Sequence, residues 1–243
     1  MRDIGDYSKK YMVPGFEKYK VIYRRKRLLE TIERYKPEKV LEIGCGKEPL
    51  FLYASDIHFT VVEPSDDFYE NAVTLAKGRE KVTCIKGFFE EKVNQLSPEF
   101  DMIICSSLLH EVEEPEVFLS LIAKLCNPQT IVHVVVPNAN SMHRLLGMRM
   151  GMLADLYAKS QNNEEFQQNN VFDSESLKKI MEKSGFEILE SGSFFVKPFS
   201  HEQMYNMMQQ GILNEAVLDG LYYLTEYMPE FGSEIYVNCK LKR

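Results

Sequence analysis

Basic charge is in short supply in this 243-residue sequence: 29 Lys and Arg face 36 Asp and Glu, for a formal net charge of −7. A nucleic-acid binder gathers positive side chains against phosphates, so neither DNA nor RNA is an expected partner. The one basic cluster, YRRKRLL (23–29), lies in a Glu-rich helical pattern and reads most simply as a solvated face, with room for a phosphate-bearing substrate. Long apolar runs are missing as well. The longest, such as IVHVVVP (131–137), are strand-sized, so no membrane partner is expected. The opening MRDIGDYSKKYM is charged throughout and holds no signal-peptide core. Cysteine is sparse and unpatterned: Cys45, Cys84, Cys105, Cys126 and Cys239 form an odd set with no C-x-x-C spacing. These absences predict a cytoplasmic chain with no disulfide framework and no metal site, its strand-borne thiols serving as small apolar filler.

What the sequence does have is a rhythm. The β-rich runs KVLEIG (39–44), HFTVVE (58–63), KVTCIKG (81–87), FDMIICS (100–106) and TIVHVVVP (130–137) alternate with helical stretches near 66–78 and 114–126. Nearly continuous apolar strands separated by helices predict an α/β fold with a parallel sheet covered on both faces. Length and 44% hydrophobic content fit a single domain over 1–243. Ahead of the first strand, Val21, Ile22, Leu28, Leu29 and Ile32 at helical spacing predict a helix over 17–36 that stops before Pro37.

After Pro137 the rhythm breaks. Residues 138–153 are helical in character and carry Met142, Met148, Met150 and Met152, suited to apolar packing or to an adaptable wall over a substrate. QNNEEFQQNN (161–170) has no packing periodicity and reads as a mobile loop. A helix follows over 173–186, with Asp173 or Ser174 as its cap and Gly185 as its terminator. EILESGSFFV (187–196) reads as a strand, 201–228 as a helical insertion, and SEIYVNCKLK (233–242) as a closing strand.

The glycine turn VLEIGCGKEP (40–49) carries Gly44 and Gly46 but no third glycine, since Pro49 stands where G-x-G-x-x-G requires one. Alone, two glycines equally describe a plain strand-to-helix turn. In dinucleotide sites the third glycine packs the helix closely while its N-terminus receives a diphosphate. Here Glu48 would sit where that negative charge must be received. Glu63 ends the second strand, about 20 residues past the first, where an acid accepts ribose hydroxyls. Two glycines, a ribose acid and no welcome for phosphate describe an adenosine ligand without phosphates, such as S-adenosylmethionine.

With these residues in place, the chain resembles the class I S-adenosylmethionine-dependent methyltransferases, in the small-molecule group that includes the ubiquinone-biosynthesis type. VLEIGCG (40–46) is similar to that family's E/D-x-G-x-G motif, Glu63 to its ribose acid, and GFFEE (87–91) to its adenine segment. FDMIICSSLLHEVEEPEVFL (100–119) is similar to its fourth-strand motif, and VFDSESLKKIMEKSGFEI (171–188) to the stretch before its sixth strand. The resemblance implies a doubly wound, mostly parallel seven-stranded Rossmann-like sheet with the last strand antiparallel, plus helical insertions. It divides the chain into an N-terminal helical lid (1–36), a cofactor-binding core (37–137) and substrate-side insertions (138–170 and 197–232). It also implies S-adenosyl-L-methionine as cofactor and a small molecule as substrate. Gly44, Cys45 and Gly46 would line its methionine portion, Glu42 would hold the amino group, Glu63 the ribose, and Phe88, Phe89 and Glu90 the adenine. Ser106 and Ser107 would approach from the fourth strand. The chain departs from the family at Lys47 and Glu48, where a third small residue is common, and at Phe88, where an Asp is common.

Two histidines are candidate catalytic residues. His143, in PNANSMHRLLG (137–147), follows the fifth strand and resembles a stretch of surface-sugar methyltransferases; His110 precedes Val112 in the fourth-strand motif. Imidazole titrates near neutrality and suits a base that takes a proton from a hydroxyl acceptor. His143 is expected first and His110 second, against the plainer readings of a surface helix residue and a packing residue. His133, inside an apolar strand, reads as a hydrogen-bonded core histidine. Tyr7, Tyr11, Phe16 and Tyr19 would help the insertions enclose the substrate. The expected activity is methyl transfer to a hydroxyl of a sugar-like or other metabolite. A non-catalytic scaffold that binds the same cofactor is the alternative, and an NAD-dependent oxidoreductase a more distant one.

Overall fold

A computed structural model describes residues 15–159 and 168–242. Seven strands form one sheet in the order β3-β2-β1-β4-β5-β7-β6. They are β1 (Lys39–Ile43), β2 (His58–Glu63), β3 (Val82–Lys86), β4 (Met102–Ser106), β5 (Ile131–Pro137), β6 (Phe186–Phe194) and β7 (Glu234–Leu241). Strand β1 pairs in parallel with β2 and with β4, so the chain winds outward through β3 and then returns to the other side of β1. Strand β7 inserts between β5 and β6 and runs antiparallel to both. The expected doubly wound sheet with its last strand reversed is the observed one.

Alternation along each strand sends neighbouring side chains to opposite faces. In β1, Leu41 and Ile43 join Ile103, Cys105, Val132 and Val134 beneath α4 (Pro115–Lys124) and α6 (Ser174–Lys183). Val40, Phe59, Val61, Met102 and Ile104 pack on the other face against Leu28 and Ile32 of α1 (Glu17–Tyr35) and Ala72 of α2 (Asp66–Ala76). A third cluster joins Phe16, Tyr23, Phe194, Phe195 and Tyr236 to α7 (His201–Gln209) and α8 (Glu215–Tyr223) through Met204, Leu218 and Tyr222. The short α3 (Phe89–Lys92) follows β3, and α5 (Met142–Arg149) follows β5. No described helix is long and apolar enough to cross a membrane.

Several expectations need correction. The stretch 138–153 is helical only over α5, because the Asn138 side chain turns the chain first, accepting the Asn140 N–H and donating to the carbonyls of Glu230 and Gly232. Met150 and Met152 of that stretch are exposed, not packed. The 201–228 insertion is helical as expected, in the form of α7 and α8. Asn169 and Asn170 are docked: their backbone N–H groups donate to the His110 carbonyl, and their side chains to those of Glu111 and Val112. Residues 161–167 of the expected loop lie outside the described residues, as do Tyr7 and Tyr11. The YRRKRLL cluster is no solvated face. Tyr23 and Arg24 are buried, Arg24 pairs with Glu234, and Arg27 reaches Glu190.

Asp173 caps α6 in a reciprocal box with Ser176. Two glycines give opposite predictions. A Cβ on Gly232 would lie 2.5 Å from the Phe194 N and 2.6 Å from its O, so Gly232→Ala forces the β6–β7 junction apart and should cost about 1–3 kcal/mol. At Gly220, inside α8, nothing lies within 4 Å, so Gly220→Ala should add about 0.5–1 kcal/mol. Urea unfolding of both variants checks the pair.

Candidate active site

The return of the chain from β3 to β4 leaves β1 and β4 side by side with their crossovers running to opposite sides, and the crevice lies past their carboxyl ends. A cavity of about 510 Å³ opens there. The glycine turn forms its floor: Gly44 and Gly46 hold φ of 74° and 57°, a left-handed conformation that side chains resist. A Cβ on Gly46 would meet nothing within 4 Å, so this backbone borders open space.

Two carboxylates anchor the turn. Glu42, at the end of β1, accepts the Leu50 N–H at 3.1 Å. Burial, with the Glu63 charge nearby, pushes its pKa up to about 8 against the pull of that N–H. Glu63 accepts the N–H of Ser65 at 2.9 Å and of Gly46 at 3.2 Å, with the Cys45 thiol at 3.6 Å. Burial raises its pKa too. The Cys45 thiol is driven far above the ordinary thiol range by burial beside both acids, so it is no nucleophile.

From β4, Ser106 presents a hydroxyl sealed without a partner among the described residues. Ser107 sits at φ 57°, a strained conformation for a non-glycine residue, fixed by its N–H to the Val135 carbonyl. Phe88 caps α3 and lines the cavity, whereas Phe89 is buried and packs edge-on against Phe118. The structure thus brings Glu42, Gly44, Cys45, Gly46, Glu63, Phe88, Phe89, Glu90, Ser106 and Ser107 around one cavity.

Neither candidate histidine lines it. His110 is buried with Nε2 3.8 Å from Glu111 Oε1, and Glu111 is the member of that pair that reaches the cavity wall. His143 lies among Lys20, Lys197, His201 and Arg144; burial first, then the neighbouring Lys197 and Lys20, hold its pKa well below the ordinary imidazole range. The expectation of a histidine base on the cavity wall does not match this geometry, because Asn169 and Asn170 close over the His110 segment and α5 turns His143 toward β6 and α7. His133 is the expected core histidine, its Nδ1 2.5 Å from the Asn238 Oδ1.

Sequence reasoning did not single out Glu17, Glu111 or Phe68 as site residues, yet all three line the cavity. Glu111 sits one position past the histidine of a quoted motif, and no local pattern marks it. Glu48 and Arg25 form a pair at the rim, with the Arg25 guanidinium 3.8 Å over the Tyr53 ring and the Tyr53 hydroxyl donating to Glu48 at 3.0 Å. Arg25 holds the Glu48 pKa below its usual value.

Comparison with known proteins bears on this arrangement. The sequence profile of a family described as a methyltransferase domain matches residues 16–191. The human mitochondrial ubiquinone biosynthesis O-methyltransferase is 24% identical over 199 residues, covering 74% of this chain and 52% of that protein. The alignment therefore spans about half the length of the human relative. The ubiquinone biosynthesis O-methyltransferase of Rhizobium etli (strain CIAT 652) is 24% identical over 182 residues, covering 74% of this chain and 71% of that one. Among solved structures, the plantazolicin methyltransferase BamL, in complex with a triazolic desmethylPZN analog and SAH, superposes with a TM-score of 0.62. It is 17% identical and covers 94% of this chain and 88% of BamL. Phosphoethanolamine N-methyltransferase 2 of Haemonchus contortus, in complex with S-adenosyl-L-methionine, gives a TM-score of 0.60 at 13% identity, covering 90% and 53% of the two chains. At such identities the solved structures bear on the fold alone. The profile spans most of the sequence, and the chain belongs to the methyltransferase-domain family, within the class I S-adenosylmethionine-dependent methyltransferases.

Proposed function

We propose that the protein transfers a methyl group from S-adenosylmethionine to a hydroxyl oxygen of a small metabolite. The observation that carries this reading is the pair of buried carboxylates, Glu42 and Glu63, on the floor of a cavity beside a backbone turn held open by two left-handed glycines. About 510 Å³ falls within the range of small-molecule sites. Carboxyl groups on the floor suit a ligand with ammonium, sulfonium and ribose hydroxyls, and once ionised they oppose a diphosphate, which argues against NAD. When bound, the sulfonium supplies an already activated methyl group. The residues that would hold the ligand are Glu42 for the amino group, Gly44, Cys45 and Gly46 for the methionine chain, Glu63 for the ribose hydroxyls, and Phe88 with Glu90 for the adenine. Ser106 has a hydroxyl to spare for the same ligand.

The chain's own contribution to transfer is positioning and exclusion of water. Holding donor and acceptor in line is worth on the order of 7–11 kcal/mol. Helix α1 lies across the cavity mouth, where Glu17, Val21, Arg24 and Leu28 line it, in keeping with a lid over a cytoplasmic small-molecule site. An oxygen acceptor is favoured by the O-methyltransferases among the relatives; a sugar-like hydroxyl is one such acceptor. Among cavity-lining groups, Glu111 is the carboxylate placed on the β4 side to take a hydroxyl proton, where the acceptor needs that help.

Calorimetry with S-adenosylhomocysteine and with NAD tests the cofactor; binding of NAD alone would overturn the reading. Glu63→Ala should weaken S-adenosylhomocysteine about 10- to 100-fold, the worth of hydrogen bonds to a charged group. Release of S-adenosylhomocysteine from a metabolite pool separates an enzyme from a binding scaffold. If the wild type binds the cofactor and no pool gives turnover, the scaffold stands.

Glu42 gives a pH prediction. In the free site its carboxyl keeps a proton up to about pH 8, and an incoming ammonium favours the ionised form, so binding near neutrality should release a proton. Raising the pH from about 6 to about 8 removes the competing proton and should strengthen binding, until the ligand's own amino group begins to lose its charge. Calorimetry in buffers of differing ionisation enthalpy measures that proton, and Glu42→Gln should abolish its release.

A further inference from the structure

Glu17 and Arg24 line the cavity, and behind them lies a group of buried charges that the cofactor residues leave unused. Five segments build it. Helix α1 supplies Glu17, Lys20 and Arg24, one turn apart on one face. Strand β7 begins with Glu234, which is 1% exposed. After β6, Phe195 takes a left-handed turn at φ 61°; the N–H of Val196 donates to Leu221 and that of Ser233 to Phe195, so Lys197 is held inside with no exposure at all. Helix α7 opens with His201, and α5 brings His143 and Arg144 alongside.

The ion pairs within this group leave the Lys197 amine over, and burial with Lys20 nearby holds its pKa well below the usual lysine range, against the pull of Glu17 and Glu234. Arg24 donates to both Glu234 oxygens and to Glu17 at 3.0 Å. Lys20 lies 2.9 Å from Glu234 and 4.0 Å from Glu17. These two cations use up the two carboxylates. Lys197 has no carboxylate of its own among the described residues; its amine sits 2.8 Å from the His201 Nδ1. His201 in turn directs Nε2 to Glu17 at 3.3 Å, which fits a neutral ring that accepts from Lys197 and donates to Glu17. Burial first, and Lys197 next, press its pKa down to about 4. The His143 Nδ1 is sealed and has no partner among the described residues. A buried amine without a counter-ion and a buried ring nitrogen without a partner are both costly, and one bound anion would relieve both.

We propose that the methyl acceptor carries an anionic group, a carboxylate or a phosphate, which docks at Lys197, Lys20 and His143 while the atom to be methylated faces the cavity past Glu17 and Arg24. This assignment rests on the methyltransferase reading above and narrows its substrate to anion-bearing metabolites. His143 then serves as an anion contact, and Arg144 adds to the positive field around it.

The test loads the protein with S-adenosylhomocysteine and titrates inorganic phosphate, benzoate and uncharged benzamide at constant ionic strength, read by calorimetry and thermal shift. Saturable binding of phosphate or benzoate, and none of benzamide, is expected, and which anion binds assigns the group. Lys197→Met should bind that anion at least about tenfold more weakly while its affinity for S-adenosylhomocysteine stays unchanged. Without the anion, Lys197→Met should melt higher than the wild type, because it removes an amine that has no counter-ion. A purely structural lysine would give a lower melting temperature. Should Lys197→Met fail to fold, His143→Ala on the partly exposed α5 carries the same comparison, with the same expected loss. Equal anion binding by wild type and variant overturns the proposal. So does the absence of anion binding up to about 50 mM, far above the millimolar range of a weak ionic contact, in protein that binds S-adenosylhomocysteine. Failure of the wild type to bind S-adenosylhomocysteine strikes the methyltransferase reading instead.

Discussion

The fold turns on one constraint: strands β1 and β4 are neighbours whose crossovers leave in opposite directions. No helix can cover the point where the winding reverses, so a crevice opens beyond the carboxyl ends of those strands. Everything placed at the end of a central strand then faces that crevice. Glu42 and Gly44 come from β1, Glu63 from its neighbour β2, and Ser106 and Ser107 from β4. A parallel sheet buried on both faces has few other places for polar side chains. Acids and hydroxyls at its strand ends are therefore informative in a way that surface acids are not.

Placing two acids in that crevice has a cost, which the backbone partly offsets. Glu63 gathers the N–H groups of Ser65 and Gly46, and Glu42 that of Leu50. Each acid fixes the loop that follows a strand, and each keeps a raised pKa because one or two amides do not replace full hydration. The site thus holds negative potential in reserve. A cationic ligand completes a balance that the protein alone leaves short.

The sequence disclosed this half of the site because strand periodicity and glycine spacing are local. Gly44, Gly46 and Glu63 fall at strand ends that alternating apolar runs locate, and the sheet order followed from a family resemblance carried by the same residues. Arg24 shows where local reading stops. The Glu-rich helical pattern around it suggested a solvated basic face, yet Glu234, at the far end of the chain, draws it inward. Lys197 is harder still, since nothing in SFFVKPFS announces a lysine with no exposure. His143 was legible as chemistry but not as position: the spacing set it just after β5, and only the packing of α5 against the 195–201 segment decided which way its ring faces.

The acidic cavity floor and the buried basic group behind the cavity wall are opposite in sign, and that opposition has a physical consequence. Glu42 and Glu63 define an acidic floor on the β1–β2 side, while Lys20 and Lys197 lie buried behind the Glu17–Arg24 side of the cavity, near the start of β7. A cationic donor and an anionic acceptor are each stabilised at their own end and repelled from the other, so the charge pattern sets orientation as well as affinity. The Arg24–Glu234–Lys20 network stands at the boundary and separates the two fields, because its carboxylates screen the buried basic group from the cofactor floor. Substituting Glu234 would merge the two fields and leave Arg24 and Lys20 competing for Glu17. A single buried acid at the start of β7 thereby ties helix α1 to the sheet and keeps the buried basic group electrically distinct from the acidic floor.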